Sequence, residues 1–102
     1  MTYQFTVLAD PTRRLILERL AKGPQAVTTL ASSLPISRPA VSQHLAALKS
    51  AGLVSDEAQG ARRIYRIDPD GLAAIRIWLD QFWTASLESY AVEIERTEKG
   101  KA

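Results

Sequence analysis

Between positions 29 and 54 the apolar residues fall on two short helical stripes. Leu30, Ala31 and Leu34 recur at i, i+1, i+4, and Val41, Leu45 and Leu48 at i, i+4, i+7, spacings that gather side chains on one face of an α-helix. Pro35 cannot continue a helix. Ser37 offers its hydroxyl to backbone N–H groups two or three residues on, so a second helix is predicted to open at Arg38. Pro39 fits the first turn, where no N–H is missed, and Gly52 is placed for a left-handed C-terminal cap. The predicted second helix spans 38–51, and the two stripes can close on each other as a helix-turn-helix over 28–51.

The polar side of that second helix carries the candidate chemistry. At about 100° per residue, Pro39, Gln43 and Ala46 lie opposite the apolar stripe, with Ser42 beside them and Arg38 at the N-terminal lip. A helix entering the major groove, about 12 Å wide, needs small side chains around one or two that pair with base edges, and glutamine pairs bidentately with adenine. Gln43 is therefore the candidate for base readout. Arg38 reaches either a guanine or a phosphate, and Ser37, Ser42 and the helix N-terminus suit phosphate oxygens. His44 sits at the flank of the apolar stripe. As a base it lacks a nucleophile or carboxylate partner nearby in sequence, which leaves a packing or phosphate-contacting role.

Downstream, Gln59-Gly60 marks a turn, and Ile64, Tyr65 and Ile67 are strand formers, so a β-hairpin is expected over 53–67. Its returning strand holds Arg62, Arg63 and Arg66. A hairpin with arginines directly after a groove-reading helix has the layout of a wing that reaches the DNA backbone or minor groove, with Arg62 and Arg63 as the candidate contacts.

The two ends of the chain are patterned differently. Asp68-Pro69 reads as an N-cap and a first-turn proline, and Leu72, Ile75, Leu79, Phe82, Trp83, Leu87, Tyr90 and Ile94 then recur at helical spacing. A helix over 70–97 would be about 42 Å long at about 1.5 Å per residue, longer than the body of so small a domain. Six of the seven aromatic residues (Tyr3, Phe5, Trp78, Phe82, Trp83, Tyr90) lie in the two terminal segments. A homodimer is expected, its interface formed by helices at 2–8 and 70–97 through Tyr3, Phe5, Leu79, Phe82, Trp83, Leu87 and Tyr90. A two-fold axis also sets two reading helices one DNA turn apart, about 34 Å. The tail at 99–102 is expected to fray.

Composition narrows the functional classes. A chain of 102 residues is one domain by length. The net charge is only +2, yet its distribution is uneven. From Ser37 to Ile67 five basic residues face two acidic ones, while from Asp80 to Ala102 three face five, so positive field collects on the proposed reading side. With no cysteine, thiolate metal sites and thiol redox switching are excluded, and a single histidine argues against a His-rich zinc site. No cofactor is expected. The N-terminus shows no apolar signal region and no run approaches 18 apolar residues, which predicts a cytoplasmic chain that neither leaves the cell nor enters a membrane. Asp80, Glu88, Glu93 and Glu95 share a helix with interleaved apolar residues and no basic or His ligand to complete a carboxylate cluster, the pattern of a solvated face. Phosphate-cradling glycine loops and paired catalytic acids are missing, so no enzyme is expected and no residue is assigned a catalytic role.

In order along the chain, Leu8-Ala-Asp-Pro-Thr-Arg-Arg-Leu-Ile-Leu17, Ser37-Arg-Pro-Ala-Val-Ser-Gln-His-Leu45, Lys49-Ser-Ala-Gly-Leu-Val54 and Arg62-Arg-Ile-Tyr65 with Asp68-Pro69 resemble the ArsR family of dimeric bacterial winged helix-turn-helix regulators. The resemblance covers nearly the whole chain. It implies that Pro39, Ser42 and Gln43 face the groove and the wing arginines the backbone. The Cys-containing motif of the family's metal sensors is absent from the segment Thr28-Thr-Leu-Ala-Ser-Ser33, as are its Asp/His/Glu ligand sets from 80–95, so metal sensing does not carry over. Ala26 stands where family members often have a capping Ser or Thr.

The expected protein is mainly α with a small β-hairpin, one winged helix-turn-helix domain over 1–102. Its expected function is that of a homodimeric repressor bound to double-stranded DNA at an inverted repeat, without metal or thiol sensing and with its effector ligand unknown. The alternatives are a dimeric protein-interaction module, or an apolar small-molecule sensor at the aromatic seam, on the same fold.

Overall fold

Local capping chemistry sets most of the element boundaries. The computed structural model describes residues 2–100; Lys101 and Ala102, the end of the tail expected to fray, lie outside them. The chain divides into two compact units, one through Leu72 and one from Ala73 onward.

The first unit opens with α1 (Thr2–Leu8) and α2 (Pro11–Ala21). Asp10 caps α2, its Oδ1 accepting from Thr12 N at 2.8 Å and Arg13 N at 3.3 Å, with Pro11 as the first helical residue. Arg14 Nη1 donates to Leu8 O at 2.8 Å and Ala9 O at 3.1 Å, satisfying carbonyls that the end of α1 leaves without helical partners. Then come β1 (Gln25–Ala26), α3 (Val27–Ser33) and α4 (Arg38–Ser50), followed by the wing strands β2 (Val54–Gln59) and β3 (Arg62–Ile67). Ser37 Oγ accepts from Ala40 N at 3.2 Å and opens α4. Gly52 closes it at φ 75°, with Gly52 N donating to Lys49 O at 2.9 Å and Leu53 N to Leu48 O at 3.0 Å, the paired bonds of a Schellman cap.

The sheet has three strands, in the order β1-β3-β2, all pairs antiparallel. The expected hairpin is there, with Gln59 opposite Arg62 and Val54 opposite Ile67. Gly60, at φ 62°, takes the first turn position, where a two-residue hairpin loop asks for a positive φ. The third strand, β1, adds Gln25 opposite Tyr65 and Ala26 opposite Ile64. Ala26 gives α3 no side-chain cap; strand pairing fixes the chain there instead.

The core lies where the two apolar stripes meet. Leu30 from α3 and Val41, Leu45 and Leu48 from α4 are 0% exposed, as are Ile16 of α2 and Leu53 ahead of the wing. Burying side chains of this size stabilises by about 1.5–3 kcal/mol each. Asp68 Oδ1 accepts from Asp70 N at 3.0 Å at the start of α5 (Pro69–Gly100).

From Ala73 to Gly100 the chain is a single helical stretch. Leu79, Phe82, Trp83, Leu87, Tyr90 and Ile94 fall within an arc of about 140° and are each 40–67% exposed. Trp78 and Phe82, one turn apart, meet with ring centroids 4.5 Å apart at 58°. Among the described residues no helix is long and apolar enough to cross a membrane.

Candidate nucleic-acid interface

With Val41, Leu45 and Leu48 turned inward, helical geometry leaves the other side of α4 to solvent. Ser37, Arg38, Pro39, Ser42, Gln43 and Ala46 are all exposed. This row of small side chains carries one amide and one guanidinium, and among the described residues the guanidinium is in no ion pair. Nothing in it blocks close approach to a base-pair edge.

His44 is different. It is half-buried, and its Nδ1 accepts from Arg13 Nε of α2 at 3.1 Å. Because a guanidinium only donates, the bond assigns the imidazole as neutral with its proton on Nε2. Asp10 stands close to both groups. Partial desolvation raises its carboxyl pKa, but the N–H bonds from Thr12 and Arg13 and the positive charge of the Arg13 guanidinium outweigh that and hold it below the usual aspartate value. Arg13 gave no sign of this role in the sequence, since its partner lies 31 residues away.

The wing separates its arginines. Residues opposite each other in an antiparallel pair share a face, so Asp56, paired with Tyr65, lies diagonal to Arg63. Arg63 Nη1 is 2.7 Å from Asp56 Oδ2, and Lys49 Nζ of α4 is 2.8 Å from Oδ1. The Asp56 side chain is 6% exposed. The Lys49 contact first, and then that of Arg63, hold its carboxyl below the ordinary aspartate range against the desolvation that raises it. Desolvation, and next the Asp56 charge, push the Tyr65 hydroxyl up. Arg66 pairs with Glu57 at 2.7 Å, both partly exposed. Arg62, at the first position of β3, is exposed and in no ion pair among the described residues. Thus Arg62 is the free cation of the wing, while Arg63 reaches outward only by sharing its guanidinium with Asp56.

The expected interface residues of α5 (Leu79, Phe82, Trp83, Leu87, Tyr90) are exposed, Tyr3 of α1 is 50% exposed, and Phe5 is half-buried. Among the described residues no group of three or more His, Cys, Asp or Glu is arranged to hold a metal ion.

Residues 10–56, which run from the cap of α2 through the reading helix into the wing, match the bacterial regulatory protein, arsR family. The HTH-type transcriptional regulator Rv2034 of Mycobacterium tuberculosis is 61% identical over 88 residues, spanning 86% of this chain and 82% of that relative. The chain belongs to the arsR family of bacterial transcriptional regulators. This arsR-family protein is also 34% identical to the transcriptional repressor SdpR of Bacillus subtilis, over 80% of its own length and 91% of that relative. Its fold matches the solution structure of the homodimeric winged helix-turn-helix DNA-binding domain Mb0332 from Mycobacterium bovis, with a TM-score of 0.66 and 33% identity over 78% of each chain. These arsR-family relatives and neighbours are regulators rather than enzymes. The resemblance read from the four sequence motifs is thereby confirmed, and the protein is a winged helix-turn-helix regulator whose family binds double-stranded DNA.

Proposed function

We propose that the protein is a cytoplasmic homodimeric repressor that sets one α4 helix per subunit into successive major grooves of an inverted repeat. The observation that carries this reading is the two-sidedness of α4: Val41, Leu45 and Leu48 are 0% exposed, while Arg38, Pro39, Ser42 and Gln43 stand in solvent. In this reading Gln43 pairs with a base edge, Ser37, Ser42 and His44 meet phosphates, and Arg38 lies at the lip of the groove. Arg62, with Arg63 sharing its charge, holds the backbone beside it. The two subunits meet through the apolar arc of α5 together with Tyr3 and Phe5 of α1, in one domain running the length of the chain. Support for two-fold assembly comes from the homodimeric Mb0332 domain, and support for repression from the likeness to SdpR. The sequence has no cysteine and one histidine, in keeping with regulation that uses neither thiol nor metal.

Selection of bound duplexes from a random pool tests this directly, the expected product being a short inverted repeat. Gln43→Ala should cost about 1–3 kcal/mol on the selected site and relax preference at one base position per half-site. Equal losses on the selected site and on random duplex would remove Gln43 from base readout.

A further inference from the structure

Two arginines that are 24 positions apart in sequence border the same hollow. A concavity of about 120 Å³ lies between the first turn of α3, the first turn of α4 and the turn end of the wing, lined by Val27, Thr28, Arg38, Ala61 and Arg62 together with Ala26 and Arg63. Its lining includes three arginines and no acid. Asp56 answers one of them, Arg63. Arg38 and Arg62 have no ion pair among the described residues. Two like charges that border one small hollow without a counter-ion repel each other, and an oxyanion between them removes that cost while accepting from both forks. Thr28, exposed at the rim, has a hydroxyl to add.

We propose that this hollow is a seat for one phosphate group, gripped jointly by Arg38 of the reading helix and Arg62 of the wing. This rests on the DNA-binding reading and deepens it, because helix and wing then share one anion rather than making two separate contacts. A shared phosphate fixes the wing against the reading helix only while the ligand is bound. The group belongs either to the duplex backbone or to free inorganic phosphate.

Two measurements distinguish these sources. In the first, duplex affinity is followed against salt for wild type, Arg38→Ala, Arg62→Ala and the double variant. A jointly held backbone phosphate predicts that each single substitution weakens binding about tenfold and lowers the salt slope by about 0.9, and that the double variant loses little more than either single one. In the second, the Nε–Hε resonances of Arg38 and Arg62 are followed in the DNA-free protein as inorganic phosphate is added at constant ionic strength. Joint, saturable shifts that Arg62→Ala abolishes at Arg38 support the seat, and if they occur while the duplex losses multiply, the ligand is the free anion. Joint behaviour on the duplex alone also supports the seat and assigns the backbone as the source. Losses that multiply to about a hundredfold with a slope change of about 1.8, together with an Arg38 resonance indifferent to Arg62→Ala, would overturn it. If wild type showed no salt-dependent duplex binding, the DNA reading itself would fail, and the phosphate titration alone would decide the seat. Gln43→Ala serves as the independent check on groove reading, since it alters base preference without touching the hollow.

Discussion

Lys49 Nζ lies 2.8 Å from Asp56 Oδ1, tying the last turn of the reading helix to the first strand of the wing. The other oxygen of the same carboxylate holds Arg63, so one nearly buried acid joins α4, β2 and β3. Replacing it with asparagine keeps the shape and removes the charge. Asp56→Asn should lower stability at pH 7 by about 1–2 kcal/mol, the lower range for hydrogen bonds to charged groups, because Lys49 and Arg63 are themselves half exposed to water. The native carboxyl titrates below its ordinary value of about 3.9. Its contribution is therefore complete above about pH 4 and fades as pH falls through the lower native value. Urea unfolding at pH 7 and pH 3 should show the gap between wild type and variant narrowing in acid. An equal gap at both would mean that the charge of Asp56 is irrelevant.

A second structural demand falls on Gly71, in the first turn of α5. A Cβ built there runs into the carbonyl oxygen of Gly52 and comes within 2.7 Å of its carbonyl carbon. Helix propensity alone favours alanine over glycine by about 1 kcal/mol, but a backbone carbonyl cannot swing aside as a side chain does. Overpacking at such a site costs about 1–3 kcal/mol. Gly71→Ala is thus expected to lower the unfolding free energy, and a more stable variant would show that the turn yields freely. Gly52→Ala makes a useful contrast. A Cβ at Gly52 meets nothing within 4 Å, so its cost is conformational, from φ 75°, and amounts to about 1–2 kcal/mol.

These residues also show how far the sequence could be read. Ser37, Gly52 and Asp68 mark their boundaries because a cap is satisfied within a few residues, and each is legible at that range. The α4 reading face followed from its period, and the structure exposes the same residues. By contrast, β1 is two residues long, too short to show a period, and its partners Ile64 and Tyr65 lie far downstream. The ties of Asp56 to Lys49 and Arg63 depend on the register of β2 and β3, which no local signal in the sequence gives. The pleat itself would have separated Arg62 from Arg63, since neighbours on a strand face opposite ways; what it could not supply was the acid waiting on one side only.

The Arg13–His44 contact yields a spectroscopic prediction. With Arg13 Nε donating to Nδ1, the neutral ring of His44 is held in the Nε2–H form, leaving that N–H as a donor at the flank of α4. Long-range ¹⁵N–¹H correlation on the free protein should show an unprotonated Nδ1, and Arg13→Leu should shift the ring toward a mixture of both tautomers. An unchanged tautomer in that variant would show that the contact does not set the proton's position.

Exposed aromatic and aliphatic residues along one arc of α5 make the oligomeric state directly testable by substitution. Leu79 and Trp83 are 50% and 67% exposed in the single chain. If they stayed in water, Leu79→Lys and Trp83→Lys would change stability by no more than about 0.5 kcal/mol, as surface substitutions generally do. If the arc is covered by a second copy, a lysine there must desolvate its charge or prevent assembly. Sedimentation equilibrium should give twice the chain mass for wild type at micromolar concentration and one chain mass for either variant. The thermal midpoint of wild type should rise with protein concentration while that of the variants stays fixed. A wild-type mass of one chain, with lysine variants equally stable, would show that α5 needs no partner and would remove the two-fold arrangement from the proposed mode of DNA binding.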